Sequence, residues 1–270
     1  MAYLEFTIFC PDETKEIVEA ELMNSGFEGV WENNDSLCFY IHEEALNMPA
    51  LKEILVRYNL IESYTYKSIE NKNWNEAWEK SFEPISIAGK CQIRADFHPS
   101  EGLPYEIIIT PKMSFGTGHH ETTYQMVEAL LETNLNNKVV LDMGCGTAIL
   151  SVLAEKLGAS EVMAIDNDDW AIENSIENIQ NNNCSKITVC KGDGTFSGMF
   201  DIIISNINRN INLQLLVTYQ KALNKGGSIL LSGFYNHDVA DFEALAQQIG
   251  LKIVLKKEKN DWSCLKLQHA

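Results

Sequence analysis

Four polar side chains in the second half of this 270-residue chain have the types and spacing of a small-molecule site. Asp142-Met143-Gly144-Cys145-Gly146 sets a carboxylate beside two glycines, and Asp166 follows about 20 residues later. Asp193 lies in Gly192-Asp193-Gly194, and Asn206 follows the apolar run Ile202-Ile203-Ile204-Ser205. Gly144 and Gly146 allow a sharp turn and a close approach of backbone to a ligand. A helix after such a turn aims its free N–H groups back at it. An acid at the position of Asp166 suits two ribose hydroxyls, so the pattern describes a cradle for an adenosine-type cofactor. Bland alternatives stand beside each residue: a structural Gly-x-Gly turn, a capped loop carboxylate at Asp142, a helix N-terminal acid at Asp166 and a plain turn at Asp193.

The surrounding elements are those needed to position such a site. Val139-Val140-Leu141 reads as a buried parallel strand, Thr147 as an N-cap, and Val162–Ile165 as a second strand ending at Asp166. Strands and helices then alternate through Ile187–Cys190, Asp201–Ser205, a central strand Gly227–Gly233 and a helix over Val239–Ile249. The turn Asn260-Asp261 joins Lys252–Lys257 to Cys264–Gln268, so the last strand runs antiparallel to an otherwise parallel sheet. Upstream, Phe115-Gly116-Thr117-Gly118-His119-His120-Glu121-Thr122-Thr123 forms a glycine loop leading into a helix to about Glu132. The two histidines have no third ligand at sensible spacing, so they read as hydrogen-bonding groups and no metal site is expected.

The first 70 residues order as strand 3–10, a helix opened by Pro11, strands Phe27–Glu32 and Leu37–Ile41, a helix from Glu43 to Tyr58, and a strand Tyr64–Ile69. This β-α-β-β-α-β order is ferredoxin-like. A short helix over Asn73–Phe82, with Trp74 and Trp78 on one face, reads as a connector. The expected division is a small α+β domain over 1–70, a linker helix over 71–84 and an α/β domain over 85–270, with strand-like segments in Ile85–Ile109 before its core.

The cofactor follows from charge and shape. A dinucleotide fingerprint wants a third glycine where Ile149 stands, which argues against NAD. Asp142 would repel phosphates and suits a cationic group. S-adenosylmethionine carries a sulfonium and an amino group and has no phosphate. The net charge of −17 disfavours nucleic acid and favours a basic partner, although solubility alone explains it as well. No apolar run reaches the ~20 residues of a membrane span, and the N-terminus lacks signal-peptide character. Seven cysteines without a Cys-x-x-Cys pair indicate reduced thiols and a cytoplasmic location, and Cys145 reads as a packing residue.

The acid-x-Gly-x-Gly pattern resembles motif I of the class I S-adenosylmethionine methyltransferases. More specifically, the glycine loop 115–123 together with Leu141–Gly146, Asp166, Asn206-Ile207, Asn73–Trp78 and Asp261-Trp262 resembles the ribosomal protein L-eleven (L11) methyltransferases, the PrmA family, over essentially the whole chain. The resemblance implies a seven-stranded Rossmann-like methyltransferase sheet and an N-terminal domain that binds the basic ribosomal protein L-eleven. It implies lysine ε-amines and the N-terminal α-amine as acceptors, with repeated turnover to the trimethyl state. It places the cofactor on Thr123, Gly144, Asp166 and Asn206, with Asp142 and Gly146 from the same motif and Asp193 accepting from the adenine amine. Asn206 would orient the amine, and Thr117 and Phe115 would shape its pocket. Ala148 stands where a glycine is common. Ile207-Asn208-Arg209 stands where adenine and glutamine methylases carry two prolines and an aromatic residue, which disfavours those acceptors. Another protein lysine, a small amine or a non-catalytic ribosome-assembly module are the competing readings. The expected calorimetric result is binding of S-adenosylmethionine and none of NAD; the reverse pattern would overturn the assignment drawn from Asp142 and Ile149.

Overall fold

The protein is seen here as a computed structural model that describes residues 3–33, 36–69, 82–111 and 116–270. Phe115 and nearly all of the expected connector helix, with Trp74 and Trp78, lie outside the described residues. Internal contacts divide the chain into Met1–Ala77 and Trp78–Ala270.

The first unit contains β1 (Tyr3–Phe9), α1 (Asp12–Asn24), β2 (Gly29–Asn33), β3 (Ser36–His42), α2 (Met48–Arg57) and β4 (Tyr64–Ile69). Its antiparallel sheet has the order β2-β3-β1-β4, the ferredoxin-like arrangement. Leu4, Phe6 and Ile8 alternate along β1 as Leu37, Phe39 and Ile41 do along β3. Those six bury one face of the sheet together with Val18 and Leu22 of α1 and Leu51 and Leu55 of α2. Two expectations need correction. The second helix does not run unbroken from Glu43: Glu43–Ala45 is a single 3-10 turn, and α2 starts at Met48, where Asn47 Oδ1 accepts from Ala50 N at 3.2 Å. Pro49 enforces the restart, because a proline lacks the N–H an interior position needs but fits a first turn. Strand β2 begins at Gly29 rather than Phe27, whose ring instead packs edge-on against Phe6 and Phe39.

The second unit opens with a small sheet in which β5 (Ile85–Ile87) pairs antiparallel and β7 (Tyr105–Ile108) parallel with β6 (Cys91–Arg94). Then follow α3 (Glu121–Leu131), β8 (Val139–Met143), α4 (Ile149–Lys156), β9 (Glu161–Asp166), α5 (Asp169–Asn181), β10 (Ile187–Lys191), β11 (Phe200–Asn206), α6 (Arg209–Ala222), β12 (Leu223–Tyr235), α7 (Val239–Gln248), β13 (Leu251–Lys259) and β14 (Trp262–His269). The seven-stranded sheet has the order β10-β9-β8-β11-β12-β14-β13, with β14 antiparallel to both its neighbours. Asn260 and Asp261 have φ of 47° and 65°, as a two-residue hairpin turn matching strand twist requires. Consecutive residues of the central strands serve opposite faces. Val140, Ile202, Ile204 and Leu230 pack with Met126, Val127, Leu150 and Leu153, while Leu141, Ile203 and Leu231 pack with Leu216, Tyr219 and Phe242. Among the described residues no helix is long and apolar enough to cross a membrane.

A row of asparagines ties α5 to the chain beyond β7. Asn174, Asn178 and its C-cap Asn182 recur every fourth residue, so they share one face. Asn182 Oδ1 accepts from Ile108 N at 2.9 Å, and its Nδ2 donates to Ile108 O at 2.6 Å. Asn178 Oδ1 accepts from Thr110 N at 2.8 Å, and its Nδ2 donates to Thr147 O at 2.9 Å. Asn174 Nδ2 donates to Thr110 O at 3.3 Å. The side chains thus complete the hydrogen bonds an added strand would make. Asn178→Ala leaves Thr110 N–H and Thr147 C=O without their partner, at about 1–3 kcal/mol for each group left buried. A fall in the urea midpoint is expected, and an unchanged midpoint would show that water replaces the amide.

Candidate active site

The turn after β8 is built by its neighbour strand. Gly144 N and Cys145 N both donate to Ile165 O, at 2.8 and 3.0 Å. Asp166 then fastens the turn from its side chain: Oδ2 accepts from Gly146 N at 2.9 Å, and Oδ1 from Asp168 N at 3.1 Å. Thr147 is not the N-cap expected from sequence. Helix α4 starts at Ile149 after Ala148, which has φ of 60° and no capping side chain. The Thr147 hydroxyl instead donates to Gly116 O at 2.6 Å and so holds the glycine loop 116–118 against the turn.

Asp142 lies beneath this turn, 1% exposed. Its Oδ2 accepts from the Ser151 hydroxyl at 2.6 Å, and its Oδ1 has no hydrogen-bond partner. Burial pushes its carboxyl up to about 6, against the opposing pull of the Ser151 hydroxyl. Burial also raises the Cys145 thiol well above its ordinary value, which leaves it a packing group rather than a nucleophile.

A small cleft opens above the turn. Gly144, Asp166, Asn167, Gly192 and Asp193 line it together with the apolar side chains Met143, Ile165, Ile207, Ile211 and Leu215. Asp193 Oδ1 accepts from the Thr195 hydroxyl at 3.2 Å. Gly144 has φ of 72°, and a Cβ there would collide with Cγ2 of Ile207. Sequence reasoning missed the apolar wall. Its one signal is Ile211 and Leu215, four apart at the start of α6.

Asn206 ends β11. Its Nδ2 donates to Thr123 Oγ1 at 3.2 Å, and its Oδ1 is buried without a partner. The segment is fixed by Asn212, which is fully buried and was also missed. Ser205 Oγ donates to Asn212 Oδ1 at 2.7 Å, while Asn212 Nδ2 donates at 2.9 Å to both Ile207 O and Ser232 O. Asn208 Oδ1 caps α6 by accepting from Ile211 N at 3.1 Å. On the far side Gly233 has φ of 92°, and a Cβ there would strike the Ile207 carbonyl.

The structure therefore gathers Gly144, Asp166 and Asp193 around one cleft, brings Gly146 N to Asp166, places Asp142 beneath them, and joins Asn206 to Thr123. Thr117 is not joined to Asn206: its hydroxyl lies 3.4 Å from His119 Nδ1, and the His119 ring meets Phe82 at 4.9 Å. His120 caps α3, its Nδ1 accepting from Thr122 N at 3.3 Å. The cradle that a Cβ at Gly144 would fill, the carboxylate of Asp166 and the two orphaned oxygens of Asp142 and Asn206 together suit an adenosine-type ligand carrying a cationic group.

Residues 6–270 match the family described as Ribosomal protein L11 methyltransferase (PrmA). The chain is 43% identical to the protein of that name from Phocaeicola vulgatus, over 98% of this chain and 99% of the relative. It is 45% identical to the one from Porphyromonas gingivalis, over 93% and 89%. The crystal structure of a ribosomal protein L11 methylase from Lactobacillus delbrueckii subsp. bulgaricus superposes with a TM-score of 0.65 at 26% identity, covering 70% of this chain and 99% of that one. The cradle, the strand order and these full-length relationships agree, and the chain belongs to the ribosomal protein L11 methyltransferase family, PrmA.

Proposed function

We propose that this protein transfers methyl groups from S-adenosylmethionine to amines of ribosomal protein L11, the lysine ε-amines and the N-terminal α-amine. The observation that carries this reading is the amide of Asn206. Thr123 fixes its nitrogen end, and its oxygen is left buried, unpartnered and next to the cofactor cleft. A buried carbonyl oxygen without a donor is costly, and an incoming amine N–H relieves that cost. When bound, S-adenosylmethionine supplies a methyl group activated by the positive charge on its sulfur. Gly144 and Gly146 would let it approach, Asp166 would accept from its ribose hydroxyls, Asp193 would accept from its adenine amine, and the buried Asp142 would counter its positive charge.

A lysine with a pKa of about 10.4 reaches the site as an ammonium, and only the neutral amine has a lone pair to donate. Asn206 Oδ1 accepts one N–H of the neutral amine so that its lone pair is aimed. By the family resemblance Phe115 and Thr117 are assigned to shaping the acceptor site, and Thr117 shares its loop with His119. Residues 1–70 recognise the basic protein, 71–84 join it, and 85–270 carry the transfer in the cytoplasm. The net charge of −17 supports a basic protein as partner rather than direct contact with nucleic acid or a membrane. Methylation of another protein's lysine is separated from this reading by presenting labelled cofactor to all ribosomal proteins at once: label confined to L11 supports it, and label elsewhere with none on L11 overturns it.

Asn206→Ala removes an orienting acceptor used mainly in the transition state. Single-turnover rate at saturating cofactor should fall by roughly tenfold to a hundredfold, the equivalent of about 1.5–3 kcal/mol. A rate fully restored by excess cofactor would reassign Asn206 to cofactor binding.

Asp142 gives a pH dependence. Its folded-state value, about 6, stands above the ordinary 3.8, so its contribution to ligand-free stability is complete below 3.8 and is lost as pH rises through 6. A bound cation favours the carboxylate form. S-adenosylmethionine affinity should therefore rise as pH climbs through about 6 and then level. Asp142→Asn should flatten that rise in calorimetry, and an unchanged profile would separate Asp142 from the cation.

A further inference from the structure

A second cleft opens on the other side of the Asn206–Asn208 segment, lined among others by Asn208, Arg209, Gly233, Tyr235, Asp238 and Trp262. Its floor is close to Asn206, because Asn206 pairs with Ser232 and Gly233 follows. Two features of its wall point to a cationic occupant. Four rings form a row: His237 stacks on Tyr235 at 5.4 Å, Tyr235 lies 4.2 Å from Trp262 at 32°, and Trp262 meets His120 edge-on at 4.7 Å. The row runs from an exposed imidazole, 78% accessible, to the capping residue of α3, the helix that carries Thr123. The second feature is charge. The single guanidinium of Arg209 is answered by two carboxylates, Asp238 at 3.0 Å and Asp241, so the three groups together carry one negative charge.

We propose that this cleft is the acceptor pocket, that it takes an alkylammonium side chain against the rings of Tyr235 and Trp262, and that Tyr235 sets how many methyl groups the amine receives. The placement rests on the methyltransferase reading given above. The aliphatic stem of a lysine lies along the rings while its nitrogen reaches Asn206 Oδ1. The exposed His237 imidazole at the end of the row is the group displaced. In each round the neutral nitrogen forms a C–N bond, the C–S electron pair passes to sulfur, and the proton lost from the ammonium goes to solvent water through the open cleft. Every added methyl spreads the charge and weakens hydration, so a partly methylated amine is held more firmly by ring faces than an unmodified one. It therefore stays while spent cofactor is exchanged in the other cleft, and the next round begins without release of the protein. Tyr235 and Trp262 thus act as specificity-determining residues in the pocket of the proposed reaction.

The test has a binding arm and a product arm, both on the full chain. Tetramethylammonium chloride is titrated against a sodium chloride control of equal ionic strength, and the Trp262 indole N–H resonance, assigned by its loss in Trp262→Phe, is followed. A saturable shift in the wild type is expected, weakened by roughly two- to thirty-fold in Tyr235→Leu and retained in Tyr235→Phe. A Trp262 resonance that does not respond overturns the pocket. In the product arm, mass spectrometry of L11 treated with protein and S-adenosylmethionine should show Tyr235→Leu accumulating mono- and dimethylated amines, with Tyr235→Phe like the wild type. A wild-type product distribution in Tyr235→Leu overturns the role of Tyr235. Should the wild type transfer nothing to L11 while tetramethylammonium still moves Trp262, the pocket stands and the acceptor reading falls.

Discussion

Ile207 sits between Gly144 of the turn after β8 and Gly233 of β12, and both clefts depend on that fit. Gly144 has no room for a side chain because of the Ile207 methyl, and Gly233 has none because of the Ile207 carbonyl. Each glycine also occupies positive φ, where a side chain would add strain of about 1–3 kcal/mol. With both flanks pinned, and with Asn212 holding Ile207 O and Ser232 O, Asn206 has little freedom. Its amide is thus aimed by backbone packing as well as by Thr123. Ile207 itself forms a wall of the cofactor cleft, while Asn208 and Gly233 line the other cleft. One residue separates the two ligand spaces, and the functional amide stands next to it.

Electrostatics differ on the two sides. Two carboxylates line the first cleft and a third is buried beneath it. Asp166 spends one oxygen on each of two backbone N–H groups, which fixes the turn while leaving further lone pairs for a diol. Asp193 accepts from the Thr195 hydroxyl. Asp142 is buried with one oxygen unanswered, and burial pushes its carboxyl up to about 6. The other cleft joins aromatic faces to an ion-paired arginine. That pairing neutralises the positive charge of Arg209.

How much of this could be read from the sequence depends on distance along the chain. The turn after β8, the acid ending β9, the amide ending β11 and the Asn260-Asp261 hairpin are local patterns of strand, turn and polar residue, and they stood out. The ferredoxin-like order of the first unit was legible from alternation in β1 and β3. Pro49 was overlooked as a stop, which merged a 3-10 turn with α2. The roles of Thr147, Asn178 and Asn212 were hidden, because each hydroxyl or amide serves a backbone group that only folding brings near. Thr147 reads as a cap in isolation, yet its bond goes to Gly116, 31 positions away. Gly233 looked like the end of a strand, and nothing local shows that its missing side chain makes space for Ile207.

The hairpin of β13 and β14 has a consequence for the order of assembly. Its tip grips the start of α3: Asn260 Nδ2 donates to Glu121 at 3.1 Å, Lys259 Nζ sits 3.3 Å over the Tyr124 ring, and Gln125 Nε2 donates to Trp262 O at 3.2 Å. Gln125 and Trp262 are 137 positions apart. Closing so long a loop carries an entropy cost that must be met before the contact stabilises anything, whereas β8, β9 and β10 pair between neighbours in sequence. Strands β8 to β10 are thus wired by short-range pairing, and the contact between the hairpin and α3 waits for the two ends of the domain to find each other. During synthesis β8, β9 and β10 can pair well before Trp262 has left the ribosome, whereas the grip of the hairpin on α3 forms only after the hairpin has emerged.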